Sequence, residues 1–168
     1  MNLQDMIPNT VRPVCGEFEM TVRNTSGQIV EVYKDPNLVV NQAKNILVQL
    51  MLGNSDCIVN KIAFGNSMLT PLPHDTRIGQ LETHGLFAGN NVFGDSLATY
   101  LKFVDSTATG ALGVATFNWS LSYEEANGLN ICEFGLLSND QQLFARKTRG
   151  TITKQSDLAF EGTWRIIF

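Results

Sequence analysis

Hydrophobic positions along most of the chain alternate with polar ones, the period-two signature of strands that turn one face to a core. The alternation is strictest from Gly16 onward, where Phe18, Met20 and Val22 interleave with Glu17, Glu19, Thr21 and Arg23. Asn24-Thr25-Ser26-Gly27 supplies turn chemistry, so Gln28 to Lys34 reads as the returning strand of a hairpin that Asp35-Pro36-Asn37 ends. The period then changes. Ala43, Ile46, Leu47, Leu50 and Met51 recur at i, i+3, i+4, i+7 and i+8, a single apolar stripe that predicts a helix packed against one end of the core. Asn41 is placed to cap its start and Gly53 to stop it.

Strand patterns resume at Cys57 to Phe64 and return at Leu97 to Val104, Gly113 to Ser122, Asn130 to Ser138, Gln142 to Lys147 and Asp157 to Phe168. Ala115, Phe117, Trp119 and Leu121 share one face, as do Leu158, Phe160, Trp164 and Ile166 on the closing strand. Ser138-Asn139-Asp140 is a short polar turn that joins two of these runs into a hairpin. About eight short strands with one helix predict an all-β fold, two antiparallel sheets face to face in a jelly-roll-like sandwich with one short α-helix. Two tetrapeptides, Ile62-Ala63-Phe64-Gly65 and Cys132-Glu133-Phe134-Gly135, resemble each other and point to equivalent strand ends.

What lies outside the pattern is also informative. Residues 1–15 carry Pro8 and Pro13 and no period, so they read as an extended N-terminal arm, with residues 16–168 as a single β-sandwich domain. An ordered arm of this kind needs a partner surface to offset its ordering entropy, which makes Ile7, Pro8, Val11, Arg12 and Pro13 the expected partner contacts. Asn66 to Gly79 and Gly85 to Ser96 are long irregular stretches, which compact domains keep when they have contacts to make.

Composition narrows the function classes. Charged residues make up 17% of the chain, below the roughly 25% of ordinary soluble domains, which points to a surface partly covered by partners. The net charge is −4 and the basic residues are scattered, which argues against direct nucleic-acid binding. No apolar run reaches the roughly 18–20 residues of a membrane helix. Cys15, Cys57 and Cys132 are odd in number and lack a C-x-x-C pair, as expected for buried reduced thiols rather than a disulfide framework or zinc site.

Candidate chemistry is sparse. His74 and His84 stand in loops with no second ligand at metal spacing, although Asp75 could pair with His74. Glu17 and Glu19 fall on the outer face of a strand and Glu124-Glu125 in a turn, where charge is expected without catalysis. Arg146, Lys147, Arg149, Lys154 and Arg165 form the one local concentration of positive charge, expected to decorate a strand face or dock an acidic neighbour. No catalytic residue, metal, cofactor or small-molecule substrate is expected.

Several segments resemble small virion proteins of tailed bacteriophages: Asn37-Leu38-Val39-Val40-Asn41 entering a short helix, Lys61-Ile62-Ala63-Phe64-Gly65-Asn66, Thr70-Pro71 with Asp75-Thr76, Glu133-Phe134-Gly135-Leu136-Leu137-Ser138, Leu143-Phe144-Ala145-Arg146-Lys147, Lys154-Gln155-Ser156-Asp157-Leu158 and Trp164-Arg165-Ile166-Ile167-Phe168. The resemblance spans roughly residues 37–168. It implies a capsid cement or decoration protein, made in the host cytoplasm and located in the phage head, that binds itself as a dimer or trimer and the major capsid protein. A tail, baseplate or tail-fibre component is the alternative. A carbohydrate- or receptor-binding module is a more remote one, expected if Trp119 or Trp164 were exposed in a polar cleft.

Overall fold

In the computed structural model the described residues are 13–78, 80–81, 84–85, 100–108 and 113–168. The first hairpin forms as its pattern predicts. β1 (Cys15–Asn24) and β2 (Ile29–Val39) are antiparallel, joined by a turn in which Gly27 takes φ 75°. β1 begins at Cys15, one residue inside the expected arm, because Cys15 pairs with Ile167 of the closing strand.

β2 does not stop at Asp35-Pro36-Asn37. It pairs with β1 as far as Asn37, then passes to β10 (Leu143–Thr153) through Leu38 and Val39. The carbonyl of Pro36 accepts from Lys147 Nζ at 2.9 Å, so this residue's nitrogen also faces β10, where no ladder bond is made. A proline in a strand is tolerated where its missing donor would have no partner.

The helix α1 (Gln42–Met51) buries Ala43 and Ile46 against the end of the sheet and half-buries Leu47 and Leu50. Asn41 is itself helical in backbone and makes no side-chain cap; its amide donates to the Pro73 carbonyl at 2.7 Å. Gly53, at φ 87°, follows the helix end as expected. After a short 3-10 turn at Ser55–Cys57 come β3 (Val59–Gly65), the two-residue β4 (Gln80–Leu81) and β5 (His84–Gly85), β6 (Tyr100–Phe103), β7 (Asp105–Ala108), β8 (Val114–Leu121), β9 (Asn130–Ser138), β10 and β11 (Leu158–Ile167).

Nine of these strands follow one another as β6-β3-β9-β10-β2-β1-β11-β8-β7, every pairing antiparallel. The two outer members, β6 and β7, are successive pieces of one stretch of chain, bent at Val104, whose amide donates to the Asn60 carbonyl at 2.9 Å. The expected facing sheets are thus joined, through β2 on one side and β6–β7 on the other, into one nearly closed order. Phe18 of β1 meets Phe134 of β9 across the interior at 4.6 Å between ring centres, and Trp119 of β8 meets Phe64 of β3 at 5.3 Å. The alternating aromatic positions therefore interlock as one core.

Candidate protein–protein interface

β9 departs from simple alternation: all of Ile131 to Ser138 is buried. Its inner face joins the aromatic core, and its outer face is covered by the loop that follows β3. Ile78 of that loop is fully buried with Val40, Ala63, Leu137 and Leu143 in a second, smaller core. Burying one such isoleucine contributes about 1.5–3 kcal/mol.

Under the same loop lies a buried ionic cluster. Arg146, Glu133 and Asp75 are 1%, 0% and 4% exposed. Arg146 Nε donates to Glu133 Oε1 at 2.7 Å and Arg146 Nη1 to Asp75 Oδ2 at 2.7 Å. Each carboxylate also takes an amide of the loop, Ser67 N to Glu133 Oε2 at 3.3 Å and Leu72 N to Asp75 Oδ2 at 2.9 Å. The similar tetrapeptides explain how the sheet admits this charge. They are hydrogen-bonded neighbours on β3 and β9, with Gly65 opposite Glu133 and Ala63 opposite Gly135. A Cβ on Gly65 would come within 2.4 Å of Glu133 Oε2, and one on Gly135 within 2.4 Å of Ile78 Cγ2. One glycine leaves room for the carboxylate and the other for the side chain that seals it.

A buried ion pair adds little net stability, since desolvation offsets most of the attraction, but it is strongly directional. Here it fixes a loop to a sheet. On that mount Met68, Leu69 and Leu72 stand 67%, 47% and 46% exposed. Thr151 Oγ1 donates to Met68 Sδ at 3.8 Å. A partner that covers apolar side chains on an already fixed backbone pays to order the side chains but not the backbone.

The structure reassigns several residues singled out from the sequence. Asp75 serves Arg146, while His74 is exposed. Only the backbone of His84 is described, in β5. Glu17 and Glu19 sit on the outer face of β1, paired with Arg165 at 3.0 Å and Lys34 at 3.7 Å. Glu125 bonds Lys102 at 2.7 Å and the Ser122 amide at 2.8 Å. Burial pushes its pKa up, but these partners outweigh it and hold the carboxyl below its ordinary value.

The positive residues do not gather into one exposed patch. Arg146 is internal, Lys147 pairs with Asp35, Arg149 with Glu31 at 2.6 Å and Arg165 with Glu17. Lys154 is fully buried, its Nζ donating to Asn127 Oδ1 and the Gln155 carbonyl at 3.0 Å each. Burial lowers its pKa, against the opposing pull of Glu125 and Asp157. Cys57 and Cys132 are buried free thiols whose pKa values burial raises, whereas Cys15, expected inside, is exposed at the start of β1.

Of the expected arm contacts, Ile7, Pro8, Val11 and Arg12 lie outside the described residues, and Pro13 is exposed just ahead of β1. Trp119 and Trp164 are 4% and 0% exposed, so neither presents a ring to a sugar. A polar groove of about 450 Å³ crosses the outer faces of β1, β8 and β11, between Glu19, Asn118, Ser120 and Thr163. Among the described residues no group of three His, Cys, Asp or Glu is placed to hold a metal ion, and no helix is long and apolar enough to cross a membrane.

Sequence reasoning singled out the loop but missed its anchor. The signal was present: Glu133 is a lone carboxylate within an apolar run, and Arg146 follows Leu143-Phe144-Ala145 directly. A charge flanked so closely by core residues calls for a buried partner. Comparison with protein-family models, curated proteins and solved structures yields no match for this chain.

Proposed function

We propose that this chain is a structural protein of a tailed-bacteriophage particle, a cement protein that seats over junctions between major capsid subunits and works without a chemical step. The observation that carries the proposal is the apolar trio Met68, Leu69 and Leu72 on a loop held by the buried Arg146 cluster. Its segment-by-segment resemblance to small virion proteins supports the same reading. So does the pairing of Arg146, Lys147, Arg149 and Arg165 with carboxylates of the same chain, which makes that group of cations less available to a partner. Many copies, each covering about 1,600 Å² as specific contacts do, would add their interface energies and oppose the outward pressure of packaged DNA.

Quantitative mass spectrometry of purified particles, with heads and tails separated, tests this. Hundreds of copies confined to heads are expected. A few copies confined to tails would favour a tail or baseplate component, and absence from particles would remove the proposal.

A further inference from the structure

The outer faces of β1, β11, β8 and β7 carry two parallel ranks of polar side chains, set by strand register. Glu19 lies opposite Thr163, Thr163 opposite Asn118 and Asn118 opposite Asp105, one residue from each of four adjacent strands. Two positions along, Thr21 lies opposite Glu161 and Glu161 opposite Ser120. Strand spacing of about 4.8 Å and a rise of about 3.4 Å per residue make the longer rank about 14 Å in length and set the ranks about 7 Å apart. Between them Gly162 and Trp119 turn inward: Trp119 is 4% exposed, and a Cβ on Gly162 would run into its ring. The polar groove of about 450 Å³ runs over these two residues, within the range of about 300–1,000 Å³ of small-molecule sites.

One wall of the groove is aromatic. Phe103, just ahead of the bend at Val104, lines it with a side chain 68% exposed. The charges beside that wall are already matched within the chain: Glu19 by Lys34 at 3.7 Å, Glu161 by Arg23 at 2.7 Å and Lys102 by both oxygens of Glu125 at 2.7 Å. Thr163 Oγ1 donates to Asn118 Oδ1 at 3.3 Å, a bond that uses the acceptor of this amide and neither of its donors. Asp105 closes the longer rank as an exposed acceptor. The groove thus offers hydroxyls, an amide and largely charge-balanced carboxylates along its length, with an open ring at its side. A strongly charged ligand would compete with those ion pairs. A neutral sugar matches them as they stand, since each of its hydroxyls both donates and accepts, carboxylates are strong acceptors, and its C–H face packs on an aromatic ring.

We infer that this groove binds a neutral glycan, a short run of pyranose rings lying across the strands between the two ranks. Phe103 stacks on a sugar at one side, and Glu19, Glu161, Asn118 and Ser120 bond to its hydroxyls. The two tryptophans stay in the core and take no part in stacking. The inference goes beyond the particle assignment and stands independently of it.

The test lays the full chain over an array of neutral, uronate-bearing and phosphate-bearing oligosaccharides and polysaccharides, with trilysine as a cationic control. Neutral glycans are expected to retain it, and titrating the tightest of them should shift the amide resonances of Asn118, Ser120 and Thr163. Phe103→Ala should weaken that binding at least tenfold with an unchanged urea unfolding curve, and Phe103→Tyr should restore it. A free oligosaccharide that competes with its parent polysaccharide marks a ligand bound from solution, and one that fails to compete marks a ligand recognised only in a surface polymer; the inference holds in both cases. Retention by charged glycans or trilysine alone, retention by no glycan, shifts confined to other faces, or binding indifferent to Phe103→Ala would each overturn it.

Discussion

Replacing Arg146 by Met leaves two carboxylates, Glu133 and Asp75, buried without their cation. The wild-type arginine reaches both at 2.7 Å from a position 1% exposed. Removing one member of a buried pair costs about 3–5 kcal/mol, mostly the penalty on the charge left behind. For a protein of this length that corresponds to a fall in Tm of about 6–20 °C. Urea unfolding at pH 7, followed by tryptophan fluorescence, measures it directly because Trp119 and Trp164 lie in the main core. Substituting all three members, as Arg146→Met/Glu133→Leu/Asp75→Ala, should recover most of the loss, since apolar replacements remove the stranded charge. The triple variant should still release the loop, visible as faster amide exchange at Ser67 and Leu72, whose acceptors it lacks. An Arg146→Met variant within about 1 kcal/mol of wild type would refute the reasoning, because the cluster would then not be held in a dry site.

Gly65→Ala sets a Cβ 2.4 Å from Glu133 Oε2 and should destabilise by about 1–3 kcal/mol, read by the same unfolding assay. Met68→Ser/Leu69→Ser/Leu72→Ser should cost no more than about 1–2 kcal/mol in total and leave the fold intact, because each side chain is about half exposed or more. Lys154 has a folded pKa below its unfolded one, so between those values the unfolded chain holds a proton that the folded chain has shed. Folding stability should therefore rise with pH up to the ordinary lysine value of about 10.4, and Lys154→Met should flatten that rise in urea titrations from pH 8 to 10.5. Glu125 behaves oppositely: its lowered pKa contributes stability that is present above the ordinary carboxylate range and lost as pH falls below it, so Glu125→Gln should shorten the acid limb of the same curve.

The parts of this fold legible in the sequence are those that local periodicity determines. β1 alternates along its length, and β8 from Phe117 to Leu121 and β11 around Phe160, Trp164 and Ile166 do so over most of theirs, because each has one face in the core and one turned outward. The 24–27 turn and the stripe of α1 are equally local. β2 was misjudged at Pro36 because whether a proline ends a strand depends on the neighbour its nitrogen faces, and that neighbour is β10, more than a hundred residues away. The loop after β3 is legible as an anomaly of length, but its anchor spans sequence separations of 13 and 71 residues. No period encodes such a contact. Met51 shows the converse limit: it completes the helical stripe in sequence but stands exposed, since the core contacts of α1 come from Ala43, Ile46, Leu47 and Leu50.

The central claim is that the anchored loop docks this protein onto a phage head, and saturation binding tests it most directly. Purified full-length protein, wild type or carrying Met68→Ser/Leu69→Ser/Leu72→Ser, would be titrated onto heads stripped of it and the bound copies counted. Saturable binding of the wild type to a fixed number of sites, weakened at least tenfold in the variant, is the predicted result; that factor is about 1.4 kcal/mol per site. Wild-type protein that does not bind, or a variant that binds as tightly, would contradict the account.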